Sequence, residues 1–362
     1  MIVTKIAILF FFVLRCLSTN KKNKQIIILN DEIATIKNPI HCINDIYFLF
    51  KKELYRTCIQ HIIKLRTEIL VLVQKRVDDS WKTQKELFKD EIWLDLPSVF
   101  SFVLEDEIII IICRYVHKAK RTGTTCKRWN SNTGTIYQQG EVKIDNEAFA
   151  YKNMDSYSSV PLVISNKKFL QICGILSYAY KSVDENNFIS CFASEDKGRT
   201  WRTRILINYE QVQKEESSFY LRPIVLDNEF GFYFYSRISN SKKIRGGNYM
   251  TCTREDRNGR NNEYKFKCKD VDLFKKDKAL QNLTKLNGKY ITSYVKQENF
   301  DECYVYYTEH NAIVMKPQVH KSRPCGCYRG SFVKVDEEKT LFVYSTGYGV
   351  HNIHTLHYIS YD

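Results

Sequence analysis

The chain has 362 residues, 44% of them hydrophobic and 27% charged, with 55 Lys+Arg against 41 Asp+Glu and a net charge of +14. That apolar share can bury a substantial core, which excludes wholesale disorder, collagen and coiled coil. Only 14 Gly and 6 Pro beside 24 Tyr and 21 Phe favour strands, and 12 Cys in so long a chain decorate a core and do not replace one.

Residues 1–20 carry Lys5, an apolar run over 6–14, then Arg15 and Cys16. The run is too short to span a bilayer and has the layout of a secretory signal cleaved near residues 18–21. Its removal leaves residues 21–362 as one domain with a net charge of +12, eleven cysteines and therefore one surplus thiol in an oxidising compartment. No later segment reaches transmembrane length, so no direct membrane insertion is expected.

Strand-type segments follow at residues 25–29, 68–73, 107–112, 169–173, 230–235, 303–307 and 340–344. The best helical candidate is 82–89, so the fold class is all-β. Neighbouring cysteines fall into pairs 13 to 24 residues apart: Cys42/Cys58, Cys113/Cys126, Cys173/Cys191, Cys252/Cys268, and Cys303 with Cys325 or Cys327. Adjacent strands of a meander bring such positions within bridging distance. In the third unit the expected strands are 159–165, 168–177, 188–193 and 202–208, with Cys173 on the second and Cys191 on the third. Residues 98–144 repeat that layout.

Four-stranded antiparallel units in series predict a β-propeller. Five stapled units and the cysteine-free remainder 328–362 make six. The remainder supplies three strands, and pairing the N-terminal strand within 25–37 with them would close the ring and remove two exposed edges.

Residues 194–201, Ser-Glu-Asp-Lys-Gly-Arg-Thr-Trp, match the Asp box Ser-x-Asp-x-Gly-x-Thr-Trp at every fixed position. As a hairpin opening at Ser194, Asp196 would bond turn amides, Gly198 supply positive φ, Thr200 add a hydroxyl contact, and Trp201 pack toward the next blade. A degraded copy reads Asn130-Ser-Asn132-Thr-Gly134, and a shortened one Val77-Asp-Asp-Ser-Trp81. Asp boxes are frequent in sialidases, whose chemistry needs three arginines on the substrate carboxylate, a Tyr–Glu pair and an Asp acid. The arginine motif expected upstream of the boxes has its nearest counterpart in Tyr220-Leu-Arg222-Pro223, downstream of the intact box, where Arg222 reads as a strand-end arginine. No enzyme is expected, and no cofactor.

His351, His354 and His357 fall at steps of three, which on a strand sends the middle ring to the opposite face. An exposed C-terminal strand is favoured over a zinc site, so no metal is expected. Short basic clusters such as Lys51-Lys52 and Lys242-Lys243 read as solvated loop tips, and no nucleic-acid module accompanies them. Asn282-Leu-Thr284 is a glycosylation sequon.

The secretory start, the five Cys pairs, Asp79-Ser80-Trp81, Leu221-Arg222-Pro223 and the closing run 344–355 together resemble the cysteine-rich protective antigens of malaria parasites. The likeness covers essentially the whole mature chain. It implies a six-bladed propeller of sialidase-like architecture without a sialidase site, its last blade closed by the N-terminal strand. It also implies bridges Cys42–Cys58, Cys113–Cys126, Cys173–Cys191, Cys252–Cys268 and Cys303–Cys327, leaving Cys325 as the free thiol. Members are secreted from merozoite apical organelles to the parasite surface. There they act as adaptors between an EGF-repeat invasion protein and, in some species, a reticulocyte-binding-homologue ligand. A lectin binding sialylated glycans without catalysis is the alternative.

Overall fold

The computed structural model describes residues 26–28, 34–37, 42–63, 67–91, 97–118, 121–134, 136–137, 143–144, 158–164, 167–176, 188–208, 218–226, 229–237, 244–245, 249–255, 265–271, 282–299, 302–309, 312–313, 318–321, 327–346 and 353–361. The expected signal segment 1–20 lies outside them. Every regular element among the described residues is a strand, and nearly all pairings are antiparallel.

The units follow the cysteine pairs. Unit one is Cys42–Phe50, Glu53–Ile63, Thr67–Val77 and Ser80–Glu91. Unit three is Ser158–Ile164, Lys167–Leu176, Phe188–Ser194 and Thr200–Asn208, within two residues of expectation. Unit two has Ser98–Val103, Ile108–Lys118 and Arg121–Asn130, with only the short Ile136–Tyr137 beside them. Lys143–Ile144, expected to end unit two, instead pairs in parallel with Thr200 and Trp201 of unit three.

Residues 82–89 are not helical but lie within Ser80–Glu91. The register against Thr67–Val77 slips twice, skipping Gln84 and Leu87. Each slip inserts an extra residue, so Leu87 and Phe88 are both buried while 82–86 are exposed, a spacing that mimics a helical stripe.

Ile108–Lys118 shows why some strands read as unbroken apolar runs. Ile109 and Ile111 face the core shared with unit three, alongside Phe102, Leu170 and Trp201. Ile108, Ile110 and Ile112 face the core shared with unit one, alongside Val71, Val73 and Phe88. A sheet covered on both faces needs apolar residues at both parities, and each such side chain contributes about 1.5–3 kcal/mol on burial.

First strands of successive units are spatial neighbours. Cys42–Phe50 lies by Ser98–Val103, which lies by Ser158–Ile164, and the order continues through Ser218–Leu226, Asn282–Leu286 and Cys327–Lys334 back to Cys42–Phe50. The last unit, Cys327–Lys334, Lys339–Thr346 and Ile353–Tyr361, has three strands of its own. Ile26–Ile28 and Ala34–Lys37 both pair antiparallel with Ile353–Tyr361. Lys37 also opposes Ser80 in parallel, so the first and last units share one nine-stranded sheet.

Candidate functional site

The Asp-box hairpin is built around one carboxylate. Asp196 Oδ1 accepts from the amides of Arg199 (3.0 Å) and Thr200 (2.8 Å) and from Ser194 Oγ (2.7 Å), while Oδ2 accepts from Thr200 Oγ1 (2.6 Å). Partial burial raises the Asp196 carboxyl, but these hydrogen bonds to the charged form outweigh it and hold the group below its ordinary value. The Gly198 amide donates to Ser194 Oγ, and the Trp201 indole N–H donates to Gly198 O at 3.2 Å.

Gly198 has φ +84, and a Cβ there would stand 3.0 Å from Ile111 Cδ1 of unit two. Trp201 packs 6.0 Å from the Phe102 ring. The box therefore docks on the preceding unit, not on the next blade as expected, because its tryptophan shares a sheet face with Leu170 and Ile172, the face that meets unit two. Arg128 Nε donates to Lys197 O at 2.6 Å, and Lys197 pairs with the buried Glu107.

The second-unit copy uses a shifted acceptor. Asn130, and not Asn132, receives the turn amides, from Asn132 at 2.7 Å and Thr133 at 3.4 Å. Asn130 Nδ2 in turn donates to Glu107. In unit one the turn shrinks to Asp78-Asp79, and Ser80 Oγ donates to Val77 O.

Cys42–Cys58 and Cys113–Cys126 are bridged, with Cα separations of 5.3 and 4.0 Å. Strand register places Cys173 opposite Cys191 and Cys252 opposite Cys268. Their side chains lie outside the described residues. Cys303 opposes His320 and Cys327 opposes Thr346, while Cys325 lies outside the described residues. Cys42, Asp45 and Cys58 bring potential metal-ligand atoms within 4.8 Å of one another, but the two sulfurs are bonded together, which leaves one carboxylate and no metal-binding set.

Sequence reasoning missed a buried polar cluster where the first and last units meet. Arg56 and His354 are fully buried. The Trp81 indole N–H donates to His354 Nδ1 at 3.0 Å, fixing the neutral ring as an acceptor there. Arg56 Nε donates to Gln74 Oε1 (2.8 Å), its Nη1 lies 3.4 Å from Asp45 Oδ2 and from His354 Nδ1, and its guanidinium stacks 4.5 Å over the Trp81 ring. The Tyr47 hydroxyl donates to Asp45 Oδ2 at 2.7 Å and touches the His354 ring edge. Burial, and secondarily the Arg56 charge, push His354 down to about 3.

The C-terminal strand is thus not the exposed histidine strand expected. Its step of three does separate the rings: His354 faces unit one, and His357 lies between the hydroxyls of Tyr307 (2.8 Å) and Tyr344 (3.1 Å). His351 lies outside the described residues. Arg222 lies mid-strand in Ser218–Leu226 opposite Tyr233, not at a strand end. The following Pro223 is tolerated because, among the described residues, this strand pairs on one side only, with Glu229–Arg237. Asn282 begins Asn282–Leu286 opposite Ser293.

Residues 33–353 match the family model described as Cysteine-Rich Protective Antigen 6 bladed domain. Among solved structures, a protein of unknown function from Dyadobacter fermentans is similar at TM-score 0.53 and 10% identity, over 93% of this chain and 100% of that one. Trypanosoma rangeli sialidase in complex with the inhibitor DANA gives TM-score 0.46 and 11% identity, over 90% of this chain and 55% of the sialidase. A subtype N10 neuraminidase-like protein of A/little yellow-shouldered bat/Guatemala/060/2010 gives 0.49 and 7%, over 92% and 100%. No curated protein matches the sequence.

Proposed function

Because the chain belongs to the Cysteine-Rich Protective Antigen 6 bladed domain family, we propose that its units form a closed six-bladed propeller that works as a secreted, non-enzymatic adaptor between invasion proteins. The family match over 33–353, which runs from the N-terminal strand Ala34–Lys37 to the start of the last strand, carries this reading. The cyclic neighbour order of the first strands supports the ring, and the last sheet, shared by both ends of the chain, supports its closure. The secretory start over residues 1–20 supports export to merozoite apical organelles and the parasite surface. The missing arginine motif upstream of the Asp box, and the purely structural bonding of the box itself, support a scaffold without sialidase chemistry.

An adaptor must present about 800 Å² to each partner, an area one or two blades offer. The partners are an EGF-repeat invasion protein and, where the species has it, a reticulocyte-binding-homologue ligand. A net charge of +12 on the mature chain speeds encounter with acidic partners, a contribution that falls with added salt.

Pull-down from merozoite extract with mass spectrometry tests the proposal, and recovery of the EGF-repeat protein is expected. Recovering only glycoconjugates, released by free sialic acid, would replace the adaptor with a sialoglycan lectin. Turnover of a fluorogenic sialoside that an Arg or Tyr substitution abolishes would overturn the non-enzymatic reading.

A further inference from the structure

Where the two units at the ends of the chain meet, a polar cluster is drawn from five strands. Asp45 and Tyr47 come from Cys42–Phe50, Arg56 from Glu53–Ile63, Gln74 from Thr67–Val77, Trp81 from Ser80–Glu91 and His354 from Ile353–Tyr361. The backbone at this seam is short: four pairs join Ala34–Lys37 to the C-terminal strand, and one joins Lys37 to Ser80. Its polar side-chain contacts converge on the His354 ring or on the Arg56 guanidinium beside it, next to an apolar patch in which Leu54 and Trp81 pack with Val333, Leu341, Val343 and Leu356. No disulfide between the first and last units is present among the described residues.

We propose that this cluster is an acid-sensitive latch, in which neutral His354 helps to hold the first and last units together and its protonation parts residues 34–37 from 353–356 before the stapled units loosen. The chemistry is a conflict of donors. Nδ1 is the acceptor for the Trp81 N–H, so adding a proton there sets two N–H groups head to head at 3.0 Å. Arg56, a second cation, stands 3.4 Å from the same nitrogen and is itself fully buried.

Among the described residues, four titratable or charged groups face one another here: Asp45, Tyr47, Arg56 and His354. Asp45 is the one anion that could favour an imidazolium, and its Oδ2 lies 3.7 Å from Nε2. That oxygen also takes the Tyr47 hydroxyl and faces Arg56 at 3.4 Å, so its charge is already engaged. Tyr47 is raised by burial and stays a neutral hydroxyl. Opening the seam returns His354 to water and its ordinary value near 6.5, so each proton bound favours the open form. The inference rests on the observed pairing of the two chain ends and stands apart from the adaptor reading.

Amide hydrogen exchange of the full mature protein, corrected for intrinsic rates, tests it. Between pH 7 and pH 5 the opening constant for the amides of 34–37 and 353–356 should rise roughly 25-fold, the factor for exposing one ordinary histidine. Amides of Ile109–Ile112 in the stapled second unit should hold steady. A change of equal size in both regions, or none at the seam, would overturn the latch. His354→Gln should open the seam at pH 7 and remove most of its acid dependence, and retention of the full dependence would also overturn it. Should that variant not fold, the wild-type series decides alone.

Discussion

Replacing Gly198 with Ala separates two costs that the structure places at one residue. The backbone there sits at φ +84, and forcing a Cβ into the left-handed region costs about 1–2 kcal/mol. The same Cβ would meet Ile111 Cδ1 at 3.0 Å and Leu170 Cδ1 at 3.4 Å, inside a core shared by two units. Overpacking of that kind adds about 1–3 kcal/mol, and a smaller unfolded-state entropy gain of about 0.4–1 kcal/mol offsets part of the total. The net expectation is about 2–4 kcal/mol. Gly134 is the built-in control: its φ is +64, yet nothing lies within 4 Å of the Cβ site, so Gly134→Ala should cost about 1 kcal/mol. With an unfolding entropy of roughly 2.1 cal/mol/K per residue, differential scanning calorimetry should record a Tm drop of about 3–6 °C for Gly198→Ala and about 1–2 °C for Gly134→Ala. Trp201 fluorescence should also shift in the first variant alone, since its ring lies 3.5 Å from the new methyl. Equal losses, or a larger loss at Gly134, would refute the claim that the box is braced against unit two.

Asp196→Ala should lower stability by about 1–3 kcal/mol, because two turn amides and two hydroxyls lose a charged acceptor. The Asp196 carboxyl is held below its unfolded value, so its contribution is complete above the ordinary carboxylate range and is lost as pH falls through the folded value; chemical denaturation of both proteins across acidic pH should show the gap closing. Opening the Cys113–Cys126 bridge by double Ser substitution removes a closure of 13 residues and should cost about 3 kcal/mol in a thermal melt. Non-reducing peptide mapping should return Cys173 with Cys191 and Cys252 with Cys268, whose backbones already oppose each other; a bridge between units one and four would refute the unit boundaries.

The third unit was legible almost to the residue because its strands alternate and its turn carries an intact motif. The cysteine spacing carried the unit boundaries because positions opposed on neighbouring strands recur once per unit. What stayed hidden depends on faces and partners. Ser80–Glu91 reads as helical because two bulges break its alternation, and bulges are set by the partner strand. Trp201 was placed on the wrong neighbour because a motif fixes the turn but not which sheet covers it. Trp81 and His354 each stood out in the sequence, but nothing local shows that they meet. Tyr47 and Arg56 are ordinary strand residues until His354 arrives from the far end of the chain.

That distance constrains how the protein is made. Cys113 and Cys126 are 13 residues apart, so a stapled unit can assemble as soon as its own strands have left the ribosome. Tyr47 and His354 are 307 positions apart, and Ala34–Lys37 has only the single Lys37–Ser80 pair until Ile353–Tyr361 has been synthesised. Through most of synthesis the earliest strands therefore wait as a bare β edge, the surface most open to pairing with another copy or to chaperone capture. A substitution that slows the final docking would lower yield and promote strand-swapped dimers while leaving the finished monomer's contacts unchanged.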